Sequence, residues 1–261
     1  MTTPTGAIDA VHCSLDAEGI ATLTIRGAKS MNIIGTPQIV ATTEAMHQLA
    51  TNPAVRVLVL RGPDDRAFVG GADINEMAAL TPATAEVFIT GLKDLCEAAR
   101  LFPTPVIARL GGWCLGGGLE LAMACDLRLA SHDAQLGMPE VKVGIPSVIH
   151  ASLLRRLVGE AQATWMLLTG DTLDAAAALC HGLVHRVSAP GELDADVGRT
   201  ARQIAELGPQ VMRQQKVLMR QWTELPFDDA LAASVKAFGQ AFTTGEPQRY
   251  MQHFFDRKRP S

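Results

Sequence analysis

The chain has 261 residues, of which 48% are hydrophobic and 19% charged, a composition typical of a compact globular protein and not of a disordered one. Its formal net charge is −4. Because the chain has no excess of basic residues, its composition does not favour nucleic acid or an anionic membrane as a partner. No apolar run reaches the length of a membrane span, and the sequence starts without the features of a signal peptide. The five cysteines form no CxxC pair, which favours reduced thiols and a cytoplasmic protein.

The first half of the chain predicts strands that alternate with helices. Alternation and a central turn predict a hairpin over residues 8–25. A helix is predicted from Pro37 to residue 50, and a second over residues 81–100, each with proline at a tolerated first-turn position. The apolar runs at 55–60 and 105–110 predict strands that are buried on both faces.

The second half continues this order and then becomes entirely helical. The predicted elements are a helix after the glycines at 116–118, a strand at 127–130, helices at 148–157, 160–168 and 174–180, and a strand at 183–187. From about residue 192 onward only helices are predicted. This order predicts an α/β core over residues 1–195, followed by a helical region over residues 196–261.

A run of three glycines is the most informative motif: LGGGLELAMACD, residues 115–126. Glycine lets another molecule approach the backbone closely, and the first N–H groups of the following helix have no partner within that helix. The helix dipole adds partial positive charge, so the turn suits a negatively charged oxygen. Glu120 follows directly and could exchange protons beside it. Alone, the motif is more typical of a glycine-rich turn packed tightly between a strand and a helix.

Two further segments extend this pattern. GGADINEM, residues 70–77, places a second glycine turn after the predicted strand at 55–60. Two such turns can aim two backbone N–H groups at one oxygen, which is the geometry of an oxyanion hole. MPEVKVGIP, residues 138–146, places Glu140 in an apolar setting. Taken alone, that glutamate is typical of a solvated loop or a helix cap.

Together the three segments resemble the enoyl-CoA hydratase/isomerase family, also called the crotonase family, in their order and spacing. The resemblance covers nearly the whole chain, from KSMN at 29–32 to FFDRKRP at 254–260. It implies an α/β spiral of repeated ββα units with a C-terminal helical trimerisation region. It also implies a homotrimer or a dimer of trimers that acts on an acyl-CoA thioester, without a metal and without a cofactor beyond the CoA of the substrate.

The resemblance also implies roles for individual residues. The backbone N–H groups of Ala72 and Gly117 match the family's oxyanion hole. Glu120 and Glu140 match the two glutamates that hold and activate water, and we assign Glu120 to water activation and Glu140 to proton delivery at Cα. The positions implied in CoA binding are Lys29, Gly70, Asp73, Ile74, Phe254 and Arg257, with the last two reaching the adenine and the phosphates from a neighbouring subunit.

The chain departs from the family pattern after Glu140, where its turn is one residue shorter. Ile149 and His150 replace small residues near the expected acyl pocket, and Trp113 lies beside the glycine turn as a possible pocket wall. These bulky residues disfavour a simple crotonyl substrate. A capping role for His150 and core packing for Trp113 are the alternatives.

The presence of both glutamates favours a hydratase that adds water across the Cα=Cβ bond of a 2-enoyl-CoA. A double-bond isomerase or a thioester hydrolase on the same scaffold remains the alternative. A non-catalytic RNA-binding relative is disfavoured by the acidic net charge. The sequence contains neither the HExxH motif of a zinc site nor the GxSxG motif of a serine hydrolase.

Overall fold

Residues 10–258 are described by a computed structural model, with side chains placed through residue 256. The strands are β1 (Val11–Leu15), β2 (Ile20–Ile25), β3 (Val57–Arg61), β4 (Ala67–Val69), β5 (Val106–Leu110), β6 (Trp113–Leu115), β7 (Leu127–Ser131), β8 (Gln135–Gly137), β9 (Thr172–Asp174) and β10 (Arg186–Ser188). The α-helices are α1 (Thr36–Ala50), α2 (Ile74–Ala78), α3 (Pro82–Arg100), α4 (Gly117–Ala124), α5 (Leu154–Val158), α6 (Glu160–Thr169), α7 (Ala175–Cys180), α8 (Leu193–Ala205), α9 (Pro209–Glu224), α10 (Phe227–Ala241) and α11 (Glu246–Lys258).

The larger sheet has six strands in the order β1-β2-β3-β5-β7-β10. β1 and β2 form the predicted antiparallel hairpin, with Val11 opposite Ile25, and the later pairs are parallel. β3 and β5 are buried along nearly their whole length, which agrees with their continuous apolar sequences. One face of this sheet is covered by α8, whose Leu193 and Val197 pack against Val57.

The smaller sheet has four strands in the order β4-β6-β8-β9. β4, β6 and β8 are parallel to one another, and β9 is antiparallel to β8. Each strand has only three residues. Three residues are too few to show the alternation that identifies a strand, so this sheet cannot be predicted from the sequence.

Two strands and a helix make a repeating ββα unit: β3-β4-α3, then β5-β6-α4, then β7-β8-α5. In each unit the first strand joins the larger sheet and the second joins the smaller one. The chain therefore winds as a spiral between two sheets. This arrangement confirms the predicted α/β spiral of ββα units.

The C-terminal helices α9–α11 pack on this core through few buried groups. Lys216 of α9 is buried, and its Nζ lies 2.7 Å from the Asp126 carboxylate and donates to the carbonyls of Ala99 and Thr104. The predicted domain boundary after residue 195 lies inside α8, which packs on the larger sheet. None of the described helices is long and apolar enough to cross a membrane.

Two predicted elements differ in detail. The helix predicted at 148–157 is a 3₁₀ turn, Ile149–Leu153, that leads into the short helix α5. The strand predicted at 183–187 begins only at Arg186, because Leu183 and Val184 instead fill the core as fully or almost fully buried side chains. A short apolar run fits a strand and a core-packed loop equally well, so the sequence could not separate them.

Candidate active site

The three sequence segments of the site follow three neighbouring parallel strands. Gly70 follows the end of β4, Gly116 follows the end of β6, and Met138 follows the end of β8. Parallel strands end at the same edge of a sheet, so the topology brings together segments that are far apart in sequence. A cavity of about 640 Å³ lies at this edge.

Helix α3 forms one apolar wall of this cavity through Phe88, Ile89 and Leu92. The cavity is also lined by Gly70, Gly71, Ala72, Ile74, Met77, Leu80, Leu115, Gly116, Gly117, Glu120, Pro139, Glu140, Lys142, Val143, Ile145, Pro146 and Val148. Both glutamates and both predicted amide donors are therefore among the residues that border one space. The surroundings are mostly apolar, which strengthens electrostatic interactions inside the cavity.

The Ala72 amide is oriented by a short parallel bridge to Ile34. Ile34 N donates to the carbonyl of Gly71 at 3.0 Å, and Asp73 N donates to the Ile34 carbonyl at 2.9 Å. In a parallel bridge the intervening residue turns its own N–H to the opposite side. The Ala72 N–H therefore points away from Ile34. Gly71 has a φ of +126°, a conformation that glycine adopts without strain.

The Gly117 amide stands in the first turn of α4, where backbone N–H groups have no partner within the helix. Gly116 precedes it with φ +54°, which reverses the chain direction between β6 and α4. Gly118 lies so close to β4 that an added Cβ would be 2.2 Å from the carbonyl oxygen of Val69. The three glycines thus have two separate uses, the sharp turn and the close approach of α4 to β4.

Glu120 is 3% exposed on α4, and its Oε1 accepts a hydrogen bond from the Ala151 amide at 2.9 Å. Burial raises the pKa of this carboxyl to about 8. The Ala151 hydrogen bond lowers the pKa, whereas the nearby charge of Glu140 adds to the increase. A carboxyl with this pKa can exchange a proton near neutral pH.

Glu140 begins a 3₁₀ turn, Glu140–Val143, directly after β8 and Pro139. Its Oε2 accepts a hydrogen bond from the Ser147 hydroxyl at 2.8 Å. Its Oε1 lies beside Gly116, where an added Cβ would be 2.7 Å from it. Burial raises the pKa of the Glu140 carboxyl, and the Ser147 hydrogen bond opposes that increase. Glu140 is therefore not the solvated loop residue that its motif alone would suggest.

The structure does not place the predicted acyl-pocket residues at this cavity. Trp113 is 38% exposed and starts β6, at the opposite end of the strand from Gly116, which contradicts the core-packing alternative. It does not line this cavity, and its role as a pocket wall stays a prediction. Ile149 and His150 instead line a second cavity of about 1020 Å³. There His150 binds Glu97 of α3, with Nε2 2.8 Å from Oε1.

The predicted CoA-binding residues lie in different surroundings. Gly70 and Ile74 line the cavity, whereas the Asp73 carboxylate caps α2 by accepting from Asn75 N at 2.9 Å. Lys29 is exposed on a turn, with φ +62°. Phe254 is 54% exposed on α11 and does not line the cavity within this subunit. The Arg257 side chain is outside the described part of the chain.

Asn32 is a structural residue of the site whose role the sequence did not indicate. It is 2% exposed, and its backbone φ of +52° lies in the left-handed region. Its side-chain amide donates to the carbonyls of Ile25 and Phe68, and its Oδ1 accepts from Gly27 N at 2.6 Å. It thereby ties the end of β2 to β4, next to the Ala72 turn. An asparagine after a strand signals a turn, but not this long-range contact.

Comparison with known proteins agrees with this architecture. A family model described as enoyl-CoA hydratase/isomerase matches residues 16–261. A crotonyl-CoA hydratase of Syntrophomonas wolfei is 34% identical over 243 residues, which are 93% of this chain and 94% of that protein. A short-chain-enoyl-CoA hydratase of Clostridium acetobutylicum is 33% identical over 248 residues, 94% of this chain and 95% of that protein. An enoyl-CoA hydratase structure from Mycobacterium smegmatis superposes with a TM-score of 0.92 at 28% identity, covering 97% of this chain and 99% of that one.

The chain belongs to the enoyl-CoA hydratase/isomerase family. For a member of this family, an acyl-CoA substrate and an enzymatic role follow from membership. No group of three or more His, Cys, Asp or Glu side chains able to hold a metal ion occurs within residues 10–258. The expectation that catalysis needs neither a metal nor a separate cofactor stays a prediction.

Proposed function

We propose that this family member is a hydratase that adds water across the Cα=Cβ bond of a 2-enoyl-CoA thioester. The observation that carries the proposal is the pairing of Glu120 and Glu140 at one apolar cavity, both with raised pKa values. A buried carboxyl with a raised pKa suits general acid–base catalysis. Relatives named as hydratases at about one-third identity support the same reaction.

The reaction requires charge stabilisation at the thioester carbonyl. When water oxygen bonds to Cβ, the π electrons of the double bond move through Cα to the carbonyl oxygen, which becomes an enolate. The amides of Ala72 and Gly117 are the proposed donors to that oxygen, and the N-terminus of α4 adds its dipole. Each donor is a backbone group held by a bridge or a helix turn, so little reorganisation is needed as charge develops.

The two glutamates divide the proton transfers. Glu120 takes a proton from the attacking water, and Glu140 gives a proton to Cα, so the pair carries one proton before and after the reaction. After turnover that proton resides on Glu120, which is also where burial favours it. The next water, bonded to both carboxyls, accepts this proton from Glu120 and passes one of its own to Glu140. This relay reconciles the assigned roles with the higher proton affinity of the more buried Glu120.

The proposal includes recognition of the CoA group and assembly of subunits. Lys29 lies on an exposed turn and Ile74 lines the cavity at the start of α2, whereas Phe254 belongs to the C-terminal helix α11. In a homotrimer or a dimer of trimers, Phe254 and Arg257 of a neighbouring subunit would contact the adenine and the phosphates. The exposed apolar side chains of α10 and α11 support an assembly that covers them.

A panel of acyl-CoA thioesters tests the proposed reaction. Hydration of a 2-enoyl-CoA removes the conjugated enoyl absorbance, so the panel should show loss of absorbance without release of free CoA thiol. A 3-enoyl-CoA that gains absorbance would show an isomerase instead, and thiol release would show a thioester hydrolase. Absence of absorbance loss across short, long, branched and aromatic 2-enoyl-CoA substrates would refute the hydratase assignment.

A further inference from the structure

The turn that contacts Glu120 is anchored on the opposite side by a charged cluster. His150 is buried, and its Nε2 lies 2.8 Å from Oε1 of Glu97 on α3. Glu97 is itself fixed by Arg100, with two contacts of 2.7 and 2.5 Å between guanidinium and carboxylate. The Arg100 interaction lowers the pKa of Glu97 to about 2, so this anchor is a carboxylate throughout the neutral range.

The backbone between this anchor and Glu120 is strained. Ile149 has a φ of +38°, in the left-handed region that β-branched residues avoid. A residue keeps such a conformation only where its surroundings impose it. Here the constraint comes from the next residue. Because His150 is held on α3 by Glu97, the backbone of Ile149 cannot relax to an ordinary φ.

The strained turn directs one amide at two acceptors. Ala151 N lies 2.9 Å from Oε1 of Glu120 and also 2.8 Å from the carbonyl oxygen of Val148. If the turn relaxed, the Ala151 N–H could bond to Val148 alone and would remain satisfied. The need of the Ala151 N–H for an acceptor therefore does not by itself hold this amide on Glu120. The orientation of the amide must come from the rest of the turn.

We propose that His150 is a positioning residue for catalysis: by anchoring the turn at residues 148–151 to Glu97, it holds the Ala151 amide on Glu120. This inference rests on the proposed role of Glu120 in proton transfer. A hydrogen bond from Ala151 stabilises the ionised form of Glu120, which is the form that accepts the proton of water. His150 acts through the backbone of its neighbour and does not itself touch the reacting atoms.

Glu120 and His150 both have ionisable neighbours that a titration must take into account. Glu120 faces the Glu140 carboxyl across the cavity and the buried Cys96 thiol on α3. His150 faces Glu97 and Arg100 on α3, and Arg100 also pairs with Glu224 on α9. The other ionisable groups that line the second cavity are Lys93, Asp94, Cys125, Asp126, Arg128, Arg156, His185, Lys216 and Arg220.

The test compares His150→Ala with His150→Gln and with the control Ser152→Ala. Ser152 is an exposed member of the same turn that bonds the Ile149 carbonyl but neither Glu97 nor Glu120. The pKa of Glu120 is read by ¹³C NMR titration of protein labelled at glutamate Cδ, with the signal assigned through Glu120→Gln. His150→Ala should raise this pKa by about one unit, the size expected for loss of one charge-assisted hydrogen bond.

His150→Gln retains an N–H that can reach Glu97 and should restore most of the shift, whereas Ser152→Ala should leave the pKa unchanged. The pH profile of kcat should move upward with the NMR pKa in His150→Ala, with little change in KM. If folded His150→Ala keeps the wild-type Glu120 pKa, the proposal is overturned. Should that variant fail to fold, Glu97→Gln, which weakens the same anchor, is judged by the same shift.

The NMR readout separates this inference from the proposed function. A shifted Glu120 pKa in a protein that hydrates no enoyl-CoA would keep the positioning role and refute the hydratase assignment. An active hydratase whose Glu120 pKa is unchanged in His150→Ala would support the hydratase assignment and refute the positioning role of His150.

Discussion

At the scale of single residues, the chemistry of the site follows from the different surroundings of two carboxyls. Glu120 is enclosed by apolar side chains of the core and receives one backbone N–H, whereas Glu140 is half-buried and receives one hydroxyl. Burial destabilises the ionised form of both, and the nearby charge of Glu140 further disfavours ionisation of Glu120. The pair therefore retains one proton near neutral pH, which is the proton that Cα receives during hydration.

The pH dependence of hydration should reflect this shared proton. Activity should fall at high pH as the pair loses its last proton, with an apparent pKa of about 8 for the pair. It should fall again at low pH when both carboxyls are protonated and no base remains. Steady-state kcat measured across the range of protein stability tests this bell shape. A profile that stays flat through the alkaline limb would contradict the shared-proton mechanism.

The amide of Gly117 can be tested because the position accepts two matched substitutions. Gly117→Pro removes the N–H at the first position of α4, where proline is tolerated, whereas Gly117→Ala adds a Cβ but keeps the N–H. Either side chain meets the flexible end of Leu92 at about the same place. Relative to Gly117→Ala, Gly117→Pro should lower kcat by about 10²–10³-fold, the usual effect of losing one oxyanion donor. Equal turnover of the two folded variants would exclude this donor.

At the scale of elements, Asn32 joins strands of the two sheets next to the site. Asn32→Ala would leave the Gly27 amide and the carbonyls of Ile25 and Phe68 without this partner in a buried region. We expect a loss of roughly 2–4 kcal/mol in unfolding free energy, because several buried groups lose their bonds together. Asn52→Ala is the matched control, since the Asn52 side chain accepts a local hydrogen bond from the Ala54 amide, two positions away, near the surface. Chemical denaturation measures both, and equal losses would contradict the proposed tie between the sheets.

Much of the fold could be predicted because long elements carry their own pattern. The hairpin, β3, β5, α1 and α3 have enough residues to show alternation, continuous burial or a proline start, and the structure has them at the predicted places. The smaller sheet could not be predicted in the same way. Its three-residue strands exist because neighbouring ββα units stack, which is a tertiary effect that no local window contains.

The site, like the fold, could be predicted only in part. Both glycine turns and both glutamates were predicted to converge, and they border one cavity because they follow adjacent parallel strands. Trp113 and His150 were expected at the acyl pocket, but neither lines the cavity in this subunit, because closeness in sequence to a site residue does not fix the side-chain direction. Trp113 lies at the other end of a strand from the cavity, and His150 is drawn to Glu97, a partner 53 positions away.

At the scale of the whole molecule, α10 presents an apolar stripe to solvent. Phe227, Leu231, Val235 and Phe238 are 75%, 50%, 75% and 71% exposed and recur at helical spacing. If subunits assemble through this face, Val235→Asp should reduce the assembled fraction, because assembly would bury an unpaired charge. Gln240→Asp, on the other side of the same helix, should leave assembly unchanged. Sedimentation velocity distinguishes these outcomes, and a monomeric wild type would contradict the predicted trimer.

The central claim is that Glu120 and Glu140 hydrate an enoyl-CoA as a pair. The most direct measurement is the rate of enoyl absorbance loss for the wild type, Glu120→Gln and Glu140→Gln on the best 2-enoyl-CoA, with CoA affinity measured in parallel. Each variant should lose about 10²–10⁴-fold in kcat, the usual contribution of a general acid or base, while its CoA affinity stays near that of the wild type. Full hydration activity in folded Glu120→Gln or Glu140→Gln would contradict the two-carboxylate mechanism.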